Sequence, residues 1–171
     1  MPFLDTVSEI RKRMDHAVEA PTFTSAVTYR DPKAALDWLA SAFGFEVTMA
    51  IEGPPDAPEM CHYEMSSAGH GRVMIGAEWS ELVRSPEHVG GANTQSVHVH
   101  LAEDVDAHCD RARAAGARVV AEPSDQFYGD RTYQALDLEG HRWVFAQTVR
   151  TVSREEAEAA LGQPITATDW P

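Results

Sequence analysis

Two histidines, His98 and His100, stand two residues apart in the run Ser96-Val97-His98-Val99-His100. On an extended chain that spacing puts both imidazoles on one face. A pair so placed offers ring nitrogens to a divalent ion from one side, acts as general acid and base, or hydrogen-bonds a small ligand. A metal site would need a third ligand from elsewhere, and Glu64 is the nearest candidate by type. Arg131 could present a guanidinium to an anionic group, while Tyr63, Tyr133 and Trp143 suit either a planar ligand or a core. Each has a structural alternative: imidazoles lining a wet cavity, Asp130 and Arg131 stabilising their own loop, rings packing inside. No G-x-S-x-G elbow, phosphate loop or dinucleotide fingerprint is present, so Ser and Cys nucleophile chemistry has no support.

The elements that must position these residues come in duplicate. Asp31, Ala34 and Asp37 return 73 positions later as Asp104, Ala107 and Asp110, and Tyr63 and Arg72 return as Tyr133 and Arg142 at an offset of 70. A period this long means a duplicated supersecondary module, not a solenoid, and duplicated modules are expected to pack face to face with the site between them. In the first copy, Thr22–Tyr29 reads as a strand. Asp31 caps a helix with Pro32 in its first turn and Gly44 as its stop. Strands are expected over Phe45–Ile51, Met60–Met65 and Arg72–Ala77, with Ser66-Ser67-Ala68-Gly69 as a turn. The second copy repeats the order: strand Ser96–Ala102, helix 105–115 after Asp104, then strands Arg118–Ala121, Thr132–Leu136 and Arg142–Thr148. Capping boxes, Thr6 with Glu9 and Ser153 with Glu156, predict flanking helices over residues 6–18 and Ala157–Leu161. The whole reads as one domain over 1–171, with modules at 21–79 and 94–149, a linker at 80–93, and a C-terminal helix and tail at 150–171.

A balance of 14 Lys and Arg against 27 Asp and Glu, a net charge of −13, argues against a nucleic-acid partner. Cys61 and Cys109 have no CxxC spacing and read as buried thiols. With no basic-then-apolar leader and no run of about 18 apolar residues, a cytoplasmic protein without membrane contact is expected.

Two βαβββ modules, with Asp-Pro opening one helix and Asp104-Val105-Asp106-Ala107-His108 the other, resemble the vicinal oxygen chelate superfamily of glyoxalases, bleomycin-resistance proteins and extradiol dioxygenases. Ala114-Ala115-Gly116-Ala117, Tyr128-Gly129-Asp130-Arg131 and Asp137-Leu138-Glu139-Gly140-His141-Arg142-Trp143 strengthen the resemblance, which covers residues 22–149. It implies an α+β fold, two modules paired into a cup-shaped mixed sheet with short flanking helices, and a homodimer. In metal-using members an ion sits in the cup, held by the first strand and the last strand of the modules. Counting seven residues back from the helix-capping Asp puts Thr24 in the first position, and Val97 in the second. Aligning the copies at an offset of 72, with a bulge near Ala102-Glu103, puts Ser96 there and turns His98 and His100 toward the cup; this register is preferred. Met74 and Val144 take the last-strand positions. None of these side chains is a metal ligand, so no metal and no cofactor is expected. The function implied is binding of a small aromatic or cationic molecule by His98, His100, Glu64, Tyr63, Tyr133, Arg131 and Trp143. The alternatives are a metal-dependent lyase, isomerase or dioxygenase and a metal-independent acid/base enzyme, both using His98 or His100. Neither the ligand nor whether a reaction occurs is legible.

Overall fold

Asp31 and Asp104 open the two long helices, each with a carboxylate oxygen accepting the backbone N–H three residues on, from Ala34 at 3.0 Å and Ala107 at 2.8 Å. The computed structural model describes residues 23–68 and 70–170; the helix expected over 6–18 lies outside them. The described elements are β1 (Ser25–Tyr29), α1 (Pro32–Phe43), β2 (Phe45–Ile51), β3 (His62–Ser67), β4 (His70–Ala77), β5 (Ser96–His100), α2 (Val105–Ala114), β6 (Arg118–Asp125), β7 (Asp130–Leu136), β8 (Arg142–Thr148) and α3 (Arg154–Leu161). The βαβββ order occurs twice. The strands form two four-stranded mixed sheets, β1-β4-β3-β2 and β5-β8-β7-β6, in which β1 runs parallel to β4 and β5 parallel to β8. The fold is α+β, as expected.

The differences from the sequence reading lie at element ends. The expected turn at Ser66 and Ser67 is the end of β3, and β4 begins at His70, so the hairpin is tighter than its small polar residues suggested. β6 continues four residues beyond Ala121, through Pro123 to Asp125; an edge strand tolerates a proline because it need not donate on its open side. α3 starts at Arg154 directly after its Ser153 cap, whose hydroxyl accepts from the Glu156 amide.

Each sheet turns one face to its helix. Val27, Tyr29, Met65, Val73 and Ile75 of the first sheet pack with Leu39 and Phe43 of α1, and Tyr133, Ala135, Trp143 and Phe145 of the second with Val105 and Ala112 of α2. These are not two cores but one. Phe43, at the end of α1, lies 4.7 Å from Phe145 and 5.5 Å from Trp143, ring centre to ring centre, and Trp38 donates its indole N–H to the Ala115 carbonyl at 2.9 Å. The modules therefore meet through their helix sides, which corrects the expectation that they pack face to face.

Three polar devices cross that junction. Asp137 accepts from the Tyr29 hydroxyl at 2.6 Å, the Trp143 indole at 2.9 Å and the Glu139 and His141 amides at 3.0 and 2.9 Å. Glu139 accepts from the Arg30 and Asp31 amides and, at 2.5 Å, from the Ser85 hydroxyl. His108, fully buried, bridges Tyr133 and the Phe43 carbonyl at 2.6 and 3.2 Å. A carbonyl only accepts, so His108 Nε2 carries the proton and Nδ1 accepts from the Tyr133 hydroxyl. Burial, with Arg111 adding to it, pushes the His108 pKa down to about 4, and burial raises Tyr133.

Two outcomes are expected. Asp137→Ala leaves the Tyr29 hydroxyl and Trp143 indole buried without an acceptor and costs about 3–5 kcal/mol, measured by urea denaturation. As pH falls, the unfolded chain protonates His108 first. The stability its depressed pKa confers is therefore complete above the ordinary value of 6.5 and is lost as pH falls toward 4, by about 3 kcal/mol in all. The pH slope of stability across that window should shrink in His108→Gln.

Candidate functional site

β5 is the strand on which the candidate residues meet. Its ladder with β8 is regular, pairing Ser96 with Arg142, Val97 with Trp143, His98 with Val144, Val99 with Phe145 and His100 with Ala146. Alternation then sorts the side chains by face. Val97 and Val99 pack against the core, while His98 and His100 are exposed on the opposite face. That follows from the 72-residue offset, since Ala26 pairs with Met74 as His98 pairs with Val144. No bulge in the β5–β8 ladder is involved. The extra residue lies between β5 and α2, since the paired strands repeat at an offset of 72 and the capping Asp31 and Asp104 at 73.

Two cavities border β5. One, of about 360 Å³, is lined by the second module alone: His98, His100, Tyr128, Asp130, Gln134 and Val144 are among its walls. The other, of about 640 Å³, lies at the junction between β5, with Gln95, and the first module, where Ala26, Phe45, Ser66, Arg72 and Val73 contribute. His98 and His100 line both. The first cavity has no Lys or Arg among its lining residues.

The two imidazoles differ in support. His98 has no hydrogen-bond partner among the described residues, whereas His100 Nε2 lies 3.1 Å from Thr148 Oγ1, which donates at 2.8 Å to Asp130 Oδ1. Because the threonine proton goes to the carboxylate, its oxygen accepts from His100 Nε2–H, and the ring's Nδ1 is left with a lone pair. Asp130 is placed by the preceding Gly129, at φ +105°, whose carbonyl accepts from the Val149 and Arg150 amides; a Cβ there would collide with the Arg150 carbonyl. The pairing of Thr148 with Asp130 is not legible in the sequence because the two lie 18 residues apart. The Tyr-Gly-Asp turn was their one visible signal.

The other candidates are dispersed. Glu64, only 6% exposed, lies on the first sheet's face away from α1, held by His62 at 3.4 Å and Arg72 at 3.3 Å, and lines neither cavity. Tyr133 and Trp143 are fully buried in the shared core. Tyr63 is buried too, its hydroxyl donating to Glu52 at 3.0 Å, with burial and that carboxylate pushing its pKa up to about 12. Arg131 is engaged by Asp106 and Asp125, at 2.7 and 2.8 Å, which raise its pKa. Of the two cysteines, Cys109 is buried and Cys61 half-buried, and both are free.

Side chains on neighbouring strands reach one ion only when they are cross-strand neighbours. Thr24 and Ser96 do not satisfy this: the neighbour of Met74 is Ala26, and that of Val144 is His98. The pairs so placed are Ala26 with Met74 in the first sheet and His98 with Val144 in the second, and of these four only His98 has an atom suited to a hard or borderline ion; Glu64, the other neighbour of Met74, is taken up by His62 and Arg72. Among the described residues no group of three His, Cys, Asp or Glu side chains is placed to hold a metal. The donor set does not fit the divalent ion of metal-using cups.

Residues 13–145 match the model of the Glyoxalase/Bleomycin resistance protein/Dioxygenase superfamily. An uncharacterized protein of Mycobacterium bovis is 31% identical over 146 residues, covering 82% of this chain and 92% of that protein. Among solved structures, TioX from Micromonospora sp. ML1 is 31% identical with a TM-score of 0.56, covering 78% of this chain and 100% of that one. TnmS3, an antibiotic binding protein from Streptomyces sp. CB03234, has a TM-score of 0.58 over 78% of this chain and 99% of its own, at 18% identity. None of the described helices is long and apolar enough to cross a membrane.

The face assignment makes a stability contrast. Val99→Ala should lose about 1–3 kcal/mol through a cavity in the core, and His98→Ala about 0.5 kcal/mol or less, compared by chemical denaturation.

Proposed function

The chain belongs to the glyoxalase, bleomycin resistance protein and dioxygenase superfamily, and from that premise we propose that it binds a small aromatic or cationic molecule on the face bearing His98 and His100, without the superfamily's metal centre. The observation that carries this is the chemistry of two strand pairs, Ala26 with Met74 in the first sheet and His98 with Val144 in the second, in which three of four side chains have no atom suited to a hard or borderline ion. The likeness to TnmS3 supports a binding role by analogy of fold. A homodimer is part of the proposal. Val47, Met49 and Ile51 of β2 are 48%, 42% and 52% exposed, an apolar edge strand that a second copy would cover. Two free cysteines agree with a cytoplasmic location. A metal-independent acid/base enzyme is the second reading, favoured by the hydrogen-bonded chain from Asp130 through Thr148 to His100.

Elemental analysis of protein purified without chelator should find no stoichiometric Zn, Ni, Mn or Fe. One ion per chain, lost in the His98→Ala, His100→Ala double variant, would establish a metal enzyme instead. A thermal-shift screen with aromatic and bleomycin-type antibiotics and the glutathione–methylglyoxal hemithioacetal separates the other readings. Stabilisation without turnover supports binding, and turnover without metal supports the enzyme.

A further inference from the structure

The second-module cavity contains one imidazole whose tautomer is fixed by a hydrogen-bonded neighbour. Thr148 Oγ1 stands between His100 Nε2 at 3.1 Å and Asp130 Oδ1 at 2.8 Å. An ionised carboxylate is acceptor-only, which fixes the direction of both hydrogen bonds: Nε2–H to Oγ1, and Oγ1–H to Oδ1. The imidazole is held by one nitrogen, and the other, Nδ1, has no partner among the described residues. Around it the polar groups are neutral, from His98, Tyr128, Thr132, Gln126 and Gln134. Gln134 is already engaged by Arg142, and Asp130 is the one charged residue lining the cavity.

We infer that His100, positioned by Thr148 and Asp130, is the proton acceptor for the bound molecule, and that the ligand class of this face is aromatic molecules with an acidic hydroxyl. The inference rests on the small-molecule reading above and narrows it. In the step it describes, the ligand's O–H bond breaks and an Nδ1–H bond forms, leaving a phenolate beside an imidazolium. The imidazolium keeps its Nε2–H on Thr148, whose hydroxyl stays on Asp130. No electron changes hands and the total charge of the site is unchanged. His98, two residues along the same face, has no such support and serves as a neighbouring contact. Phosphorylated or carboxylate ligands are disfavoured, because the lining contains no Lys or Arg to meet a permanent anion.

The test uses 4-nitrophenol, whose phenolate absorbs in the visible while the phenol does not, titrated into full-length protein below the free phenol's own pKa. Binding should bring up the phenolate band. His100→Gln, which retains hydrogen-bonding groups but takes no proton, should lose the band and bind about tenfold more weakly, the equivalent of one hydrogen bond. Thr148→Val should weaken the band and Thr148→Ser restore it, a pattern a merely structural threonine would not give. Unchanged thermal melting of His100→Gln shows that the exposed side chain was removed without unfolding. A band or affinity indifferent to His100→Gln overturns the assignment while leaving small-molecule binding intact. Failure of 4-nitrophenol to bind, when other aromatics in the thermal-shift screen do, overturns the ligand class alone. Failure of every compound in that screen overturns the broader reading with it.

Discussion

Two carboxylates in a single turn, Asp137 and Glu139, hold the molecule's halves in place. Both lie at or below 9% exposure, where an unpaired charge would cost several kcal/mol. They are tolerated because nearly every lone pair they present is met. Asp137 takes the Tyr29 hydroxyl from the first module and the Trp143 indole from the second, and Glu139 takes the amides of Arg30 and Asp31 at the start of α1. That second contact places negative charge where a helix offers unsatisfied N–H groups. His141, two residues on, donates Nε2–H to the Thr28 carbonyl at 2.7 Å. β1 is thereby fixed against the turn that begins β8, and β8 fixes β5.

Once that turn fixes the modules by their helix sides, the chemistry is pushed to the opposite faces. The aromatic cluster of Phe43, Trp143 and Phe145 fills the junction, and His108 serves it as a neutral, doubly bonded connector. A protonated ring there would put its second proton, on Nδ1, against the Tyr133 hydroxyl with no carboxylate in hydrogen-bond reach. His100 is the opposite case. It is exposed and has an acceptor chain ending in a carboxylate. Two histidines eight positions apart thus stand in opposite settings, one buried and bonded at both nitrogens, the other exposed and bonded at one.

Much of the fold was legible because its signals are local. Asp31, Asp104 and Ser153 cap helices through contacts three residues long, Gly44 ends α1 at φ +71°, and the Val and His alternation in β5 separates core from cavity. The candidate site was legible only in part, because its partnerships are set by tertiary pairing. Tyr63 and Tyr133 recur at equivalent places in the repeat, and that symmetry turned out to mark the core. Arg131 reads as a free cation until Asp106, 25 residues earlier, is brought against it. Glu64 shares a residue type with metal ligands but is held by His62 and Arg72. Ligand positions cannot be counted from the helix cap, since the strands repeat at an offset of 72 and the capping residues at 73. Only the ladder says that Val144 faces His98.

The side chains Ala26, Met74 and Val144 also constrain what His98 and His100 do. Strand pairing fixes which side chains stand side by side, Ala26 with Met74 and His98 with Val144, but their types decide what such a place can offer. Three of those four side chains are apolar and bring no donor suited to a hard divalent ion. In the second module Val144 joins Ala146 as apolar surface beside the two imidazoles. The proposed recognition of a flat molecule, by its shape and one hydrogen bond, needs such an apolar floor with an acceptor at its margin. Val144, which has no donor for a metal, is therefore the same side chain that the aromatic reading uses.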